Sequence, residues 1–285
     1  MKKSMKKSFK SLMAVTLGAL LGVSSFTATA ADLKDCSEVK AIQERGVFKV
    51  GVKEDVVGFS VKDPLTGEYK GFEDSLAELI AKDIGADVEV EYTGVTAATR
   101  GALIDSGDLD AVLATFTITP ERKQTWDFTT PYYKDAVTVL VEKKNNIKHL
   151  KDLVGKTVGV SSGSTSAKVL VQALIDNKVI EGKGFDAATF DPATWTEGVK
   201  FQQFDNYPAI STALAADEVQ AFCVDKSILN IYKTASRDFI EERFAPQEYG
   251  VVTKKGSGLS AYVESLITKW LADGTIEKLI KENNL

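Results

Sequence analysis

Residues 109–123 read LDAVLATFTITPERK, and this stretch decides the fold. Its first part, Leu109 to Ala114, is apolar enough to form a strand that is buried on both faces, as in a parallel sheet covered by helices. Thr119 and Pro120 follow with the residue types of a helix N-cap and of the first helical position. The stretch therefore predicts a buried strand that ends in hydroxyl side chains and leads into a helix.

Arg122 falls in the first turn of that predicted helix, where a cation opposes the helix dipole. A guanidinium beside free backbone N–H groups creates an anion site, and it can bind a carboxylate through two parallel hydrogen bonds. The alternative is a surface arginine that pairs with Glu121 or Asp127.

Strands and helices alternate along the chain, which is typical of an α/β protein with parallel or mixed sheets. Apolar runs predict strands over residues 48–52, 88–92, 109–114, 136–141, 157–160, 200–204, 219–224 and 249–253. Apolar residues at spacings of three and four predict helices over 72–84, 99–104, 167–175, 208–216 and 259–271.

Two halves of the chain repeat this alternation, with the polar residues 143–146 as a boundary between them. A short internal repeat ends at Ala111 in one half and at Ala221 in the other. Four residues further on lie Thr115 and Asp225, each where an apolar strand ends. Because ligands bind outside the carboxyl ends of strands in open α/β sheets, two facing sheets would place these residues on opposite walls of one cleft.

Asp225 has two interpretations. By itself it would cap a helix that begins at Lys226. Opposite Arg122, it would bind an ammonium group, and the pair would match the charged backbone groups of an α-amino acid. Hydroxyl side chains predicted near this cleft are those of Thr115, Thr117, Ser164 and Thr165.

The first 30 residues have the pattern of a secretory signal peptide. Lysines precede an uncharged apolar run from Leu12 to Phe26, and a small-x-small cleavage site ends at Ala30. We therefore expect a periplasmic or otherwise exported protein, cleaved near Ala30.

Composition excludes several classes of function. The net charge of −5 gives no indication of nucleic-acid binding. His149 is the only histidine and has no cysteine at ligand spacing, so we expect no metal site. Cys36 and Cys223 are the only cysteines, and they could be free or bridged.

The sequence resembles the family 3 extracellular solute-binding proteins, the periplasmic receptors of ABC importers for polar amino acids. The resemblance extends over nearly all of residues 31–285. The stretches that carry it are GFEDSLAELIAKDI (71–84), LDAVLATFTITPERK (109–123), FTTPYY (128–133), GVSSGSTS (159–166) and FCVDKSIL (222–229).

This resemblance implies an α/β fold of two lobes, the type II Venus flytrap, in which each lobe is a mixed sheet flanked by helices. Lobe 1 would comprise residues 31–141 and 250–285, and lobe 2 residues 142–249. A two-strand hinge would lie near residues 138–145 and 246–253.

The resemblance also implies roles for individual residues. Arg122 and the backbone at Thr117 would hold the α-carboxylate of the ligand, and Thr165 would donate an N–H to it from the other lobe. Asp225 and Thr115 would hold the ammonium group. Tyr249, like Tyr207, would either close over the ligand or pack near the hinge.

Two further cations bear on the identity of the ligand. Lys53 follows the first strand, and Arg100 falls where the acidic amino-acid branch of the family directs an arginine toward the ligand side chain. Together with Arg122, and opposed only by the negative charge of Asp225, they give the cleft a net positive charge. This charge favours aspartate or glutamate as the ligand. Lys53 could instead pair with Glu54 or Asp55, and glutamine or cysteine are the alternative ligands.

The sequence therefore predicts a monomeric binding protein without a cofactor that takes a free amino acid to an ABC transporter membrane permease. Two alternatives belong to other functional classes: an enzyme, namely an exported dehydratase on the same fold, and a surface adhesin. Residues 180–199 form a long connection without predicted structure, and such loops are often functional or mobile.

Overall fold

The computed structural model describes residues 33–285, so the predicted signal peptide and its cleavage site at Ala30 lie outside the described residues. Strands β1 to β14 cover, in chain order, Val47–Val52, Asp55–Val56, Ser60–Lys62, Tyr69–Lys70, Glu89–Gly94, Ala111–Leu113, Trp126–Phe128, Tyr133–Glu142, Thr157–Ser161, Lys200–Phe204, Ala221–Asp225, Arg237–Phe239, Phe244–Tyr249 and Val252–Lys254. Helices α1 to α9 cover Ser37–Arg45, Phe72–Ile84, Arg100–Ser106, Arg122–Thr125, Ser166–Asp176, Tyr207–Ala215, Lys226–Leu229, Gly258–Ala272 and Thr275–Glu282. Short 3₁₀ helices cover Lys143–Asn145, Leu150–Leu153 and Asn230–Tyr232.

The first lobe is built on a five-stranded sheet with the order β5-β1-β6-β14-β7. β1 pairs in parallel with β5 and β6, whereas β14 enters antiparallel between β6 and β7. A small antiparallel sheet of β2, β3 and β4 adjoins it. Helix α2 covers the first sheet because its apolar residues recur every three or four positions, and Leu76, Ile80 and Ile84 are fully buried.

The second lobe is built on a six-stranded sheet in which β8 pairs with β11, β12 and β13. β9 pairs in parallel with β10 and β11, so this sheet is also mixed. Both lobes therefore have the predicted α/β architecture of a mixed sheet flanked by helices.

Strand β8 lies in the second sheet along its whole length, from Tyr133 to Glu142. The first crossing between the lobes therefore precedes Tyr133, and the structure corrects both the lobe boundary predicted at residue 141 and the hinge segment predicted at 138–145. The apolar pattern of β8 identifies a buried strand, but its sheet is decided by partners about 100 residues away in sequence.

The two chain crossings run side by side. Thr129 N donates to Val251 O (3.0 Å), and Tyr132 N donates to Tyr249 O (2.9 Å). The second crossing thus falls inside the predicted segment 246–253. Tyr133 and Tyr249 stack with ring centroids 5.8 Å apart, so aromatic packing supports the hinge.

The lobes are in contact across the cleft. Lys168 Nζ of the second lobe lies 3.3 Å from Glu121 Oε1 of the first lobe.

Cys36 in the first lobe and Cys223 in the second are both free thiols. None of the helices within residues 33–285 is long and apolar enough to cross a membrane.

Candidate functional site

The candidate site lies where the carboxyl ends of strands from both sheets face each other. Lys53 follows β1, Thr115 follows β6, and Asp225 is the last residue of β11. All three side chains are buried, with exposed fractions of 3%, 4% and 5%. Thr115, two residues after β6, and Asp225 therefore lie at the carboxyl ends of strands in the two sheets, and their shared role in ligand binding stays a prediction.

Arg100 begins helix α3 and is 3% exposed. Its Nη1 donates to the carbonyl oxygens of Ala114 and Thr115, and its Cζ lies 3.8 Å from the ring centroid of Phe116. Its Nε is buried and has no hydrogen-bond partner among the described residues. Carbonyl groups and a ring face thus hold this guanidinium in place, but they do not neutralise its charge.

Arg122 reaches from one lobe to the other. Its Nη1 donates to Thr117 O (2.8 Å) and its Nη2 donates to Gly163 O of the second lobe (3.1 Å). Its backbone N donates to Thr119 Oγ1 (3.2 Å), but helix α4 begins only at Arg122 with Glu121 as its N-cap residue, so Thr119 and Pro120 lie before the helix and do not have the predicted cap and first-turn positions. Burial and the neighbouring Arg100 lower the pKa of Arg122 to about 9.

The surface ion pairs considered for Arg122 do not form, because the two acids have other partners. Glu121 pairs with Lys168 (3.3 Å), and Asp127 pairs with Lys255 (2.9 Å). The guanidinium of Arg122 bonds to backbone carbonyl groups of both lobes instead.

Asp225 accepts a hydrogen bond from Tyr249 Oη and does not cap helix α7. Asp135 of β8 performs the capping, since its Oδ2 accepts from Ser227 N (3.0 Å). Burial raises the pKa of Asp225 to about 7, against the lowering effects of the tyrosine hydrogen bond and of Arg100. The Asp225 side chain therefore makes no cap bond and is a buried acceptor, and its contact with a ligand stays a prediction.

Lys53 has no carboxylate oxygen of residues 33–285 within 4.0 Å of its Nζ. The two acids considered as partners are engaged elsewhere: Glu54 pairs with Lys62 (3.1 Å), and Asp55 Oδ2 accepts from Tyr207 N (3.3 Å). Its Nζ lies 4.8 Å from the ring centroid of Tyr207. Burial and the positive charge of Arg100 lower the pKa of Lys53 to about 8.

The threonines of the two lobes meet at one glutamine of β13. Thr117 Oγ1 and Thr165 Oγ1 donate to Gln247 Oε1 over 2.8 Å and 3.1 Å. Ser164 lies beside Thr165 ahead of helix α5, and its Oγ accepts from Ser166 N (3.4 Å). Gln247 thus brings together the hydroxyl groups of Thr117 and Thr165, one from each lobe.

Comparison with known proteins identifies the family. A family model described as bacterial extracellular solute-binding proteins, family 3, matches residues 48–283. The chain belongs to this family. The predicted family 3 membership is thereby confirmed.

Two relatives match this chain over nearly its whole length. The chain is 30% identical over 287 residues to the ABC transporter glutamine-binding protein GlnH of Bacillus subtilis, a match that covers 99% of this chain and 97% of the relative. It is 29% identical over 283 residues to the L-cystine-binding protein TcyJ of Escherichia coli, covering 96% and 93%.

Among solved structures, the ancestral amino acid-binding protein AncCDT-1, a precursor of cyclohexadienyl dehydratase, superimposes with a TM-score of 0.70 at 28% identity. The superposition covers 86% of this chain and 99% of AncCDT-1. The predicted two-lobed fold is confirmed by this likeness and by the two sheets described above.

Sequence reasoning missed three residues of this candidate site: Glu73, Asp135 and Gln247. Glu73 is fully buried, and its Oε1 accepts from Thr115 N (2.7 Å) and from Tyr132 Oη (2.5 Å). Burial raises its pKa to about 7. The available signal was two acids at the first turn of an otherwise amphipathic helix, which the helix dipole alone would explain.

The long connection over residues 180–199 packs on the second lobe beside the cleft. Phe190 lies 5.7 Å from Trp195 and 6.2 Å from Phe201 of β10, measured between ring centroids. A cavity of about 260 Å³ lies between this connection and the cleft residues Arg122 and Thr165.

No group of three or more His, Cys, Asp or Glu side chains in residues 33–285 could hold a metal ion.

Proposed function

We propose that this family 3 protein is an exported amino-acid receptor that binds one acidic amino acid, aspartate or glutamate, between its lobes. It would present the ligand to the membrane permease of an ABC importer from the periplasm or another exported location. The relatives named as glutamine- and cystine-binding proteins support an amino-acid ligand, and the specificity for an acidic side chain is argued from the cleft.

The observation that carries the proposal is an unpaired positive charge in the cleft. Lys53, Arg100 and Arg122 have no carboxylate oxygen of residues 33–285 within 4.0 Å of their nitrogens. Asp225 and Glu73 are bonded to tyrosine hydroxyls instead. Buried charges are costly unless they are paired, so a ligand that brings two carboxylates and one ammonium group fits this site.

Each charge then has an assigned role. Arg122 binds the α-carboxylate together with backbone N–H groups near Thr117, Ser164 and Thr165. Asp225 binds the ammonium group with help from Thr115, while Tyr249 orients the Asp225 carboxylate. Lys53 and Arg100 are left for a second carboxylate on the ligand side chain. A neutral side chain such as that of glutamine would leave their charges unbalanced.

Substitution of Lys53 and Arg100 tests the side-chain assignment. Lys53→Met and Arg100→Ala should each weaken aspartate and glutamate binding by roughly 100-fold, and glutamine binding much less, because one partner of a buried charge pair is removed. Lys62→Met is a matched control, since Lys62 pairs with Glu54 on the small sheet. Isothermal titration calorimetry with all three ligands gives the ratios, and equal losses for glutamine would refute the assignment.

Removal of Arg122 or Asp225 tests the clamp for the α-amino acid itself. Arg122→Ala and Asp225→Asn should weaken every amino acid that binds, because they contact groups common to all. A thermal-unfolding screen of the stripped protein against the twenty amino acids identifies the ligand, since saturation at a hundred times Kd adds about 2.7 kcal/mol.

A dehydratase is the second candidate, because Glu73 and Asp225 have pKa values near 7 and could transfer protons. His149 does not contribute, since its ring lies beside Glu242 on the second lobe (3.3 Å). Incubation with prephenate and arogenate should yield no product beyond the uncatalysed background. Turnover that Asp225→Asn abolishes would replace the receptor proposal.

A further inference from the structure

Asp74 is a buried carboxyl group that the proposed ligand contacts do not use. It is 2% exposed and lies in the first turn of helix α2. The groups that face it are Ser60 of β3, Glu73 and Glu78 of its own helix, and Tyr92 of β5, whose hydroxyl donates to the backbone carbonyl of Asp74 (3.1 Å). Its charge therefore has two acidic neighbours, and no cation of residues 33–285 lies within 4.0 Å.

A count of hydrogens at Ser60 shows which group is protonated. Ser60 Oγ lies 2.6 Å from the carbonyl oxygen of Lys53 and 2.8 Å from Oδ1 of Asp74. Both distances are those of full O–H···O hydrogen bonds, but a serine hydroxyl has a single hydrogen. Because the carbonyl oxygen can only accept, it takes the serine hydrogen. The hydrogen of the second bond must then come from Asp74.

The other carboxyl oxygen leads to the same protonation state. Oδ2 of Asp74 is buried and has no hydrogen-bond partner among the described residues. An ionised carboxylate with an unpartnered buried oxygen is far more costly than a neutral acid in the same place. Burial, with the negative charges of Glu73 and Glu78, raises the pKa of Asp74 to about 8.

We propose that Asp74 is a neutral positioning residue of the binding site: its carboxylic acid donates to Ser60, and Ser60 donates to the carbonyl of Lys53. This chain fixes the peptide that follows β1 and so directs the Lys53 side chain toward Tyr207 and the cleft. The inference deepens the proposed function and rests on it for the contact between Lys53 and the ligand. Asp74 itself touches no ligand.

The protonation state can be measured without any ligand. In protein labelled with ¹³C at the aspartate carboxyl, one resonance that disappears in Asp74→Asn should still be that of the protonated acid at pH 7. Asp225→Asn assigns the other aspartate with a raised pKa. An Asp74 resonance that titrates at or below the ordinary aspartate pKa of 3.8 would overturn the proposal.

The positioning role is measured at Lys53. Asp74→Ala and Ser60→Ala should let the ammonium group turn toward solvent, so the Lys53 pKa, followed through ¹³Cε-labelled lysine, should rise from about 8 toward 10.5. Affinity for aspartate and glutamate should fall by about 10-fold or more, since one buried charge contact is lost. Asp74→Asn should restore both values, because its amide N–H can replace the acid as donor.

Ser75→Ala is the matched control, because Ser75 lies on the same helix and its Oγ donates only to Gly71 O (2.9 Å). An Asp74→Ala protein that folds with an unchanged Lys53 pKa, or an Asp74→Asn protein as weak as Asp74→Ala, would overturn the proposal. If acidic amino acids fail to bind the wild-type protein, the proposed function fails, while the two titrations still decide whether Asp74 is neutral and positions Lys53.

Discussion

At the scale of single residues, the burial of Asp225 lowers the stability of the folded protein when its carboxyl group is ionised. Its folded pKa of about 7 exceeds the ordinary value of 3.8. The folded state therefore holds this proton more tightly than the unfolded chain does. The contribution of Asp225 to stability is complete below the ordinary pKa and is lost as the pH rises through about 7.

Asp225→Asn should consequently stabilise the ligand-free protein at pH 8 by roughly 1–4 kcal/mol, because the buried charge is removed while an acceptor for Tyr249 remains. The same change should abolish the thermal shift that the ligand produces. Urea unfolding at pH 8 with and without the ligand measures both effects. Asp135→Ala is the contrasting variant, since loss of its helix cap should destabilise by about 1 kcal/mol. A destabilised Asp225→Asn protein would contradict this account of the buried charge.

The residue types of the clamp could be predicted from the sequence, whereas their neighbours could not. Arg122 stands out because a cation is unusual in a first helical turn. The choice between a cap and a cleft acceptor for Asp225 depends on Asp135, which is distant in sequence and supplies the cap. Glu73 and Asp74 look like ordinary first-turn acids until the strands that bury them are known.

At the scale of elements, the loop between β9 and α5 is shaped to meet the first lobe. Gly163 in this loop has a φ of +72°, and a Cβ built on it would lie 2.8 Å from Ala98 Cα. Its carbonyl accepts from Arg122 Nη2. The absence of a side chain at this position therefore permits both the backbone turn and the close approach of the lobes.

Gly163→Ala should weaken the binding of every ligand by about 10-fold or more, because the added methyl group keeps the lobes apart when they close. Gly155→Ala is matched in backbone strain, with a φ of +78° and nothing within 4 Å of the added Cβ. Both variants should lose about 1 kcal/mol of stability, but only Gly163→Ala should lose affinity. Calorimetry on the pair separates the two effects, and equal affinities would exclude a steric role for Gly163.

Most of the longer elements were predictable to within a few residues because their apolar periodicity is local. The sequence analysis missed α1, α9, β7, β12 and β13, and the strand predicted over 249–253 is divided between the end of β13 and the start of β14. Helix α2 has the predicted bounds, and β10 does too. The sheet that β8 joins was not predictable, since AVTVLV fits a buried strand in either lobe. The small sheet of β2, β3 and β4 was missed because its strands are two or three residues long, too short for a period to be visible.

At the scale of the whole molecule, ligand binding should be coupled to proton transfer with a sign that changes with pH. An ammonium group beside Asp225 favours its ionised form, so binding near pH 6.5 should release protons from a group with a pKa of about 7. A carboxylate beside Lys53 favours its charged form, so binding near pH 8.5 should take protons up at a group with a pKa of about 8.

Affinity for aspartate should therefore increase up to about pH 7 and decrease above about pH 8. Calorimetry in buffers of different ionisation enthalpy measures the proton count directly. Lys53→Met should reduce the uptake at pH 8.5 to the share of Arg122, whose pKa is about 9, and leave the release at pH 6.5 unchanged. Proton release at both pH values in the wild-type protein would show that Lys53 does not face a ligand carboxylate.

The position of β14 in the first sheet affects the order in which the molecule can assemble. Residues 133–249 supply all six strands of the second sheet, so that lobe can form as soon as this stretch is available. The first sheet must wait, because β14 fills its interior between β6 and β7 and arrives only with Val252–Lys254. The sheet of the lobe that holds Lys53, Arg100 and Arg122 can therefore be completed only after residues 252–254 have been synthesised, later than all six strands of the second sheet.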